Sequence, residues 1–413
     1  MKYKNRILFM LYAICLGAII GAIIWSFMKL ASLGIEVIWD TIPQMIKIPF
    51  YTIIVCTIGG LIVGIWKKLT GDYPEEMEKV IEKVKKDGKY PYNKIGIMSI
   101  SALLPLIFGA SVGPESGLIG IIVGLCSWLT DKFKNLFKEM KELTKIGVSA
   151  TLSTIFNSPM FGFALPIESE KDEEISIPKA SKVVLYFLSI CGALGIALLL
   201  RNIFGGSSGL ASFEGLNVEI NEWIWLVPLS LFGIIAGLLY SVFNKITTKV
   251  SKIFEKYIII KCAIAGALLG ISGTFLPLVM FSGEEQIAEV IEKFGEMGVI
   301  VLLLTGIVKL FITNICNSLG LKGGHFFPNI FSGICLGYAC SLLIGINPVF
   351  CVCIVTTALM AYLIKKPVAV ILLLMICFPP KAIPVMLFAV AIGCFIKEPK
   401  FLSRIESQSN KES

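Results

Sequence analysis

Residues 323–329 read GGHFFPN, and residues 109–117 read GASVGPESG. We call 109–117 the first break and 323–329 the second break, because each interrupts an apolar stretch and is followed by a new helical pattern. A helix that starts inside a membrane directs its unpaired N–H groups and the positive end of its dipole at whatever lies there. Two such starts predict a buried site for an anion.

The composition indicates a protein that crosses a membrane several times. The chain has 413 residues, of which 56% are hydrophobic and 16% are charged, which is too apolar for a soluble domain of this size. The net charge of +8 raises the possibility of nucleic-acid binding. The excess Lys and Arg flank the apolar spans, however, as the positive-inside rule expects. The expected partner is therefore the lipid bilayer of the cell membrane and not a nucleic acid.

The basic residues around the spans also predict the orientation. The lysine-rich loop 67–94 follows two spans after the N-terminus, so we expect it in the cytoplasm together with both chain termini. The basic residues at the two ends are Lys2, Lys4, Arg6, Lys397, Lys400, Arg404 and Lys411.

Spans of ordinary length alternate with short or broken ones, and broken helices are tolerated in a membrane only where they line a cavity or are covered by protein. Each half of the chain has the same order: a break comes first and a helix that starts with proline follows, at Pro159 and at Pro367. The predicted spans are 7–32, 50–66, 95–129, 146–168, 181–200, 222–243, 257–281, 296–320, 326–346, 347–364, 367–378 and 382–396.

This order predicts an all-α, polytopic transmembrane fold made of two inverted-repeat halves. We expect a first half at 1–200, a linker at 201–221, a second half at 222–397 and a cytoplasmic tail at 398–413. Gly17 and Gly21, like Gly266 and Gly270, have the spacing that allows two helices to pack closely.

Residue types needed for other chemistries are missing from the sequence. The twelve cysteines form no CxxC pair, and His325 is the only histidine, so neither a metal site nor a cofactor is predicted. No GxxxxGK[ST] motif supports ATP-driven pumping. An enzyme would need clustered catalytic residues within the spans, and none is evident. A structural membrane protein without a pore would not need two anion-type helix starts.

The residue types in the breaks suit a passing anion. A fixed Lys or Arg would hold the ion too tightly for rapid release, whereas backbone N–H groups provide a weaker field from several points. Glycine lets the ion approach the backbone. Proline fits the first turn of a helix, where its missing N–H has no partner to lose.

The two breaks resemble signatures of the CLC family of chloride channels and proton-coupled chloride exchangers. Residues 324–328 fit the GxFxP signature, and Gly113-Pro114 matches the end of the G(K/R)EGP signature. Residues 156–168 and 366–369 resemble two further stretches of that family. The resemblance implies an antiparallel two-half helical fold with one pore per subunit in a homodimer.

The resemblance also implies the anion-binding residues. The N–H groups of His325 and Phe326 correspond to those that hold a central anion. An outer anion corresponds to the N–H groups of the first break together with Phe326 and Phe327. The resulting set is Ser111, Val112, Gly113, Gly324, His325, Phe326 and Phe327.

The departures from the family decide the predicted activity. The gating glutamate of the family falls on Val112, and its internal proton-relay glutamate falls on Ser169. The serine of the GSGIP signature aligns poorly, at Gly71, and the pore tyrosine has no convincing counterpart. These differences predict a channel that passes chloride passively. The alternative is a proton-coupled chloride or fluoride antiporter.

The two candidates for the gate are Val112 and Glu115. Glu115 lies in the first turn after the first break, where the helix dipole stabilises a carboxylate. It is either an ordinary helix-start acid or a displaced gate that competes with the anion and leaves when protonated. The imidazole of His325 either packs away from the pore or adds charge to it on protonation near pH ~6.5.

Overall fold

The computed structural model describes residues 3–46, 48–87, 89–132, 140–168, 179–206, 209–216, 219–397 and 399. Apart from residue 399, the predicted tail 398–413 lies outside the described residues, and so does Ser169.

The first half of the chain contains nine α-helices within the described residues. A π-helical turn, Glu36–Thr41, joins the first two of them. The helices are α1 Tyr3–Ile35, α2 Ile42–Met45, α3 Tyr51–Thr70, α4 Met77–Asp87, α5 Ile95–Ile107, α6 Glu115–Lys132, α7 Met140–Ile155, α8 Pro159–Glu168 and α9 Lys179–Phe204.

The second half adds seven α-helices in the described part of the chain. Short 3₁₀ turns at Ile220–Trp225, Pro277–Val279 and Pro380–Ala382 precede or connect them. The helices are α10 Leu226–Ile253, α11 Ile258–Phe275, α12 Gln286–Leu319, α13 Phe326–Ile344, α14 Pro348–Ile364, α15 Pro367–Leu374 and α16 Ile383–Phe395.

Seven helical stretches among the described residues are long and apolar enough to cross a membrane. A shorter apolar helix, Ile95–Ile107, lies between two of them in sequence, and two more, Pro348–Ile364 and Pro380–Phe395, follow the last of them. The prediction of an all-α, multi-span fold with partial-span helices is confirmed. The spanning stretches are Met10–Met45, Tyr51–Thr70, Val183–Phe204, Ile220–Ile253, Ile258–Phe275, Gln286–Leu319 and Phe326–Ile344.

Three predicted boundaries differ from the structure, each for a local reason. The span 95–129 divides into α5 and α6, because Gly109 adopts φ +79° and the chain leaves the helix before Pro114. The helix predicted at 296–320 already begins at Gln286 and is broken at Gly298, where φ is 74°. Helix α9 continues to Phe204, into the predicted linker. The division into half-repeats on either side of that linker stays a prediction.

Two helix pairs pack closely through the glycines that the sequence singled out. A Cβ built on Gly21 would lie 2.1 Å from the carbonyl oxygen of Ala193, so α1 and α9 touch backbone to backbone. A Cβ on Gly266 would lie 2.1 Å from the carbonyl oxygen of Cys56, which brings α11 equally close to α3. Glycine is required at these contacts because any side chain would separate the helices.

The broken helices of the two halves meet in space. Gly113, just before α6, pairs with Gly324, just before α13. The carboxylate of Glu168, at the end of α8, accepts hydrogen bonds from the N–H groups of Val368 and Ala369 at the start of α15. The starts of α6 and α13 therefore lie side by side.

Candidate anion-binding site

A pair of backbone hydrogen bonds joins the two breaks. The N–H of Gly113 donates to the carbonyl of Gly324 at 2.8 Å, and the N–H of Gly324 donates to the carbonyl of Gly113 at 2.6 Å. Backbones approach this closely because neither residue has a side chain. The pair holds the N-terminal ends of α6 and α13 next to each other.

The carboxylate of Glu115 lies against this pair. The side chain is buried, and its Oε1 accepts a hydrogen bond from the N–H of Phe327 at 3.3 Å. The N–H of Phe326 also interacts with this carboxylate. A Cβ built on Gly324 would lie 1.5 Å from Oε2, and one built on Gly113 would lie 2.0 Å from it. The negative group of Glu115 therefore fills the space that the two glycines leave at the start of α13.

Phenyl rings support the backbone that faces Glu115. The ring of Phe156 stacks on that of Phe327, with 4.6 Å between the centroids. Phe161 packs edge-on against both Phe156 and Phe326, at 5.2 Å and 6.3 Å. The first turn of α13 is thus held by the 156–161 segment, which the sequence singled out for another reason.

The predicted donors of the first break already have other partners. The N–H of Val112 donates to the carbonyl of Ala110 at 2.8 Å, and that of Gly113 donates to Gly324. The N–H of Ser111 interacts with the sulfur of Cys316. In this conformation the N–H groups of the first break are turned to protein atoms. The anion-binding set implied by the family resemblance stays a prediction.

The two candidate gates are placed differently. Val112 is fully buried, and its Cγ2 would lie 2.5 Å from a Cβ built on Gly323. The atoms nearest to a Cβ built on Gly113, and to one built on Gly324, belong to Glu115. We call the space beside Gly113 and Gly324, at the N–H groups of Phe326 and Phe327, the cradle. Of the two predicted gate residues, only Glu115 occupies the cradle in this conformation.

His325 is the N-cap residue of α13, and its imidazole lies among aromatic rings. The ring centroid is 6.0 Å from that of Tyr240 and 4.9 Å from that of Phe326. Its carbonyl accepts a hydrogen bond from the N–H of Asn329. Aromatic packing therefore orients the imidazole, while the backbone of His325 starts the helix.

Lys309 is a fully buried lysine that the sequence reading missed. Its Nζ donates to the carbonyls of Leu278, Met280 and Phe281 at 3.0, 2.9 and 3.1 Å. The N–H of Phe281 in turn donates to the carbonyl of Gly109 at 3.0 Å, so Lys309 fixes the turn that supports the first break. The sequence signal that could have identified Lys309 is its position as a single lysine inside the apolar span 296–320.

We expect Lys309→Met to lower the free energy of unfolding by about 3 kcal/mol, because the carbonyls of Leu278 and Phe281 lose their ammonium donor and each unpaired acceptor costs roughly 1–3 kcal/mol. The carbonyl of Met280 keeps a weaker hydrogen bond from Gln286 at 3.4 Å. The midpoint of thermal unfolding in detergent measures the effect. Lys293→Met on the same helix is the matched control, since Lys293 is exposed and its Nζ lies 3.1 Å from Oε1 of the equally exposed Glu289. Equal midpoints for the two variants would contradict the role of Lys309.

A cavity of about 400 Å³ reaches the first break from one side. Pro114 lines it, together with Lys29, Arg201 and Glu284. The C-terminal part of α1 forms one wall, at the end of the molecule where Trp39 packs edge-on against Tyr51 at the start of α3.

An ionic cluster lies at the opposite end of α3, which has 20 residues and is about 30 Å long. The Nζ of Lys67 lies 2.8 Å from Oδ1 of Asp72, and the Nζ of Lys322 contacts Oδ2. Burial alone would raise the pKa of Asp72, but the charges and hydrogen bonds of the two lysines outweigh it and lower the pKa. The carboxylate of Asp72 therefore stays ionised well below neutral pH.

Comparison with known proteins agrees with the all-helical architecture. The family profile described as "Voltage gated chloride channel" matches residues 55–398. Relatives include the voltage-gated ClC-type chloride channel ClcB of Escherichia coli O17:K52:H18 (strain UMN026 / ExPEC), which is 22% identical over 308 residues. That alignment covers 70% of this chain and 68% of the relative.

Two solved structures have a similar fold. One is a CLC-type fluoride/proton antiporter, with a TM-score of 0.78 and 17% sequence identity. The other is a slow cyanobacterial Cl⁻/H⁺ antiporter, with a TM-score of 0.78 and 20% identity. Each comparison covers 97% of both chains, so the similarity of fold extends over nearly the whole molecule.

Proposed function

The chain belongs to the voltage-gated chloride channel family, and we propose that it exchanges a small monovalent anion, chloride or fluoride, for protons across a membrane. The observation that carries this proposal is the carboxylate of Glu115 at the start of α13, where its Oε1 accepts a hydrogen bond from the N–H of Phe327. A side chain that can bind a proton occupies the position that a helix start offers to an anion.

The chemistry of this arrangement links anion and proton. An ionised Glu115 and an anion carry the same charge and compete for the same N–H groups. Protonation neutralises the carboxyl group, which weakens its attraction to the positive end of α13 and lets an anion take its place. Each return of ionised Glu115 to the cradle then expels an anion, and each departure requires a proton.

The names of the related proteins divide between the two activities. The relatives in Escherichia coli are described as channels, and the two solved structures as antiporters. Passive conduction is the second candidate, because Val112 and Ser169 replace the two acidic residues of the family signatures. The position of Glu115 weighs more heavily, since it supplies a carboxylate at the cradle that sequence alignment alone does not.

We further propose a homodimer in the cell membrane, with both termini in the cytoplasm. The distribution of Lys and Arg around the spans supports this orientation. The cavity beside Pro114 is then the outer entrance, and the cluster around Asp72 lies at the inner mouth. Glu115 lies between these two entrances.

Liposomes that contain the purified full chain test the proposal. We impose an outward chloride gradient, clamp the membrane potential with valinomycin and potassium, and record the external pH; fluoride replaces chloride in a parallel series. We expect protons to move against their own gradient, because each anion that leaves the cradle is replaced by the ionised carboxylate of Glu115, which takes up a proton before it leaves again.

The outcomes separate the candidates. Uphill proton movement supports exchange, and the faster of the two anions identifies the substrate. Anion flux without proton movement contradicts exchange and favours the passive channel. Protein-containing liposomes that pass neither anion faster than empty liposomes contradict both.

A further inference from the structure

The ionic cluster holds more positive charge than its single bridging carboxylate neutralises. Besides Lys67 and Lys322, Lys261 on α11 interacts electrostatically with Asp72. Glu255 is a second negative group near Lys261, and its effect on Lys261 is weaker than that of Asp72. Two ammonium groups therefore contact one aspartate and a third acts on it through its charge, at the place where the close packing of α3 and α11 brings their ends together.

The cluster adjoins the segment that carries the second break. The Nζ of Lys67 lies 3.9 Å from a Cβ built on Gly320, at the end of α12. Lys322 precedes Gly324 by two residues, a distance of about 7 Å along an extended chain. The N–H of Gly323 between them donates to the side-chain oxygen of Asn317 at 2.9 Å. An ion at the cluster is thus close to the cradle.

The side chains of Lys67 and Asp72 differ in how deeply they are buried. The side chain of Lys67 is only 1% exposed, whereas that of Asp72 is 57% exposed. A buried ammonium group needs a negative partner, because an uncompensated charge in the interior is costly. Asp72 is that partner, and it lies in a loop in contact with solvent. Another anion can therefore replace it without the movement of a buried carboxylate.

The cations also indicate the type of anion. Lysine acts as a compact point charge, whereas arginine presents a planar fork that matches carboxylates and phosphates. A pair of lysines held by one carboxylate is suited to a single spherical ion. Chloride and fluoride meet that requirement, and they are the anions of the proposed function.

We propose that Lys67 and Lys322 form an entry site for a monoatomic anion, with Asp72 as its tethered competitor. The anion replaces Asp72 between the two ammonium groups before it moves to the cradle beside Gly324. The proposal rests on the proposed anion transport and adds a second carboxylate that the ion must displace. The two lysines lower the pKa of Asp72, so anion concentration and not protonation controls its exchange.

Titration of sodium chloride, and separately of sodium fluoride, into the detergent-solubilised full chain tests the site by calorimetry. Ionic strength is kept constant with sodium gluconate. Asp72→Asn removes the competing charge and keeps its hydrogen-bonding shape, so we expect the dissociation constant to fall about threefold, the size of an exposed ion pair. Lys322→Gln removes one cation, so we expect it to rise by a similar factor.

Glu76→Gln and Lys79→Gln are the matched controls, because they remove the charges of an exposed ion pair at the start of α4 with an N–O distance of 3.2 Å. Opposite shifts for Asp72→Asn and Lys322→Gln, without a shift in the controls, support the entry site. Unchanged dissociation constants in both cluster variants, or a weaker one in Asp72→Asn, overturn it. Binding is measured without transport, so an absence of flux in liposomes contradicts the proposed function separately.

Discussion

We expect Glu115→Gln to abolish proton movement while anion flux continues. The glutamine cannot carry a proton or a negative charge, so it no longer couples the two ions. Hydrogen bonds to charged groups contribute about 1.5–3 kcal/mol, so the loss of the carboxylate should raise anion flux at neutral and alkaline pH about tenfold or more. The flux of the parent should rise as the pH falls, and that of the variant should be the same at each pH.

The measurement is anion flux and proton movement in the same liposomes between acid and alkaline pH. Glu292→Gln is the control, since Glu292 is an exposed acid on α12 and does not line the cavity beside Pro114. His325→Gln tests the other titratable group beside the second break and should keep the pH response of the parent. A Glu115→Gln variant that still moves protons uphill would rule out Glu115 as the coupling residue.

Gly324→Ala should reduce anion flux by about tenfold or more. Its methyl group would lie 1.5 Å from Glu115 Oε2, inside the space that the carboxylate now fills. Overpacking of this size costs roughly 1–3 kcal/mol, and the same steric cost opposes an anion that enters this space. Flux in liposomes measures the loss, and the elution volume in detergent checks that the fold is kept.

The methyl group of Gly324→Ala can act on the Glu115 carboxylate or on the anion itself, and a second genetic background separates these two effects. In the Glu115→Gln background the competitor has lost its charge, so a continued loss of flux in Gly324→Ala shows that the methyl group excludes the anion itself. Gly195→Ala on α9 is the control, since a Cβ there meets nothing within 4 Å. Parental flux for Gly324→Ala in both backgrounds would mean that the anion does not pass between the two glycines.

The fold could be predicted from the sequence because its determinants are local. Long apolar stretches must form helices in a membrane, where each backbone polar group needs a partner within the protein. Glycine and proline at the two breaks stop and restart helices through their own backbone preferences, as the φ of +79° at Gly109 illustrates. The family signature at 324–328 likewise depends on neighbouring residues.

The occupant of the cradle was decided by tertiary structure. Sequence alignment assigned the gate position to Val112 and left two interpretations of Glu115. The pairing of Gly113 with Gly324 places the start of α6 beside that of α13, and the Glu115 side chain then reaches the N–H of Phe327. A contact between residues 212 positions apart has no local signal in the sequence.

The same limit applies to the charged residues around the site. Asp72 lies five residues from Lys67 but 250 residues from Lys322, and Lys309 is one lysine in an apolar helix. Only helix packing shows that Asp72 bridges two lysines and that Lys309 binds three carbonyls. The sequence determined where helices begin and break, because backbone preferences act over a few residues. The tertiary structure decided which charges meet at those breaks, because electrostatic partners are chosen by distance in space.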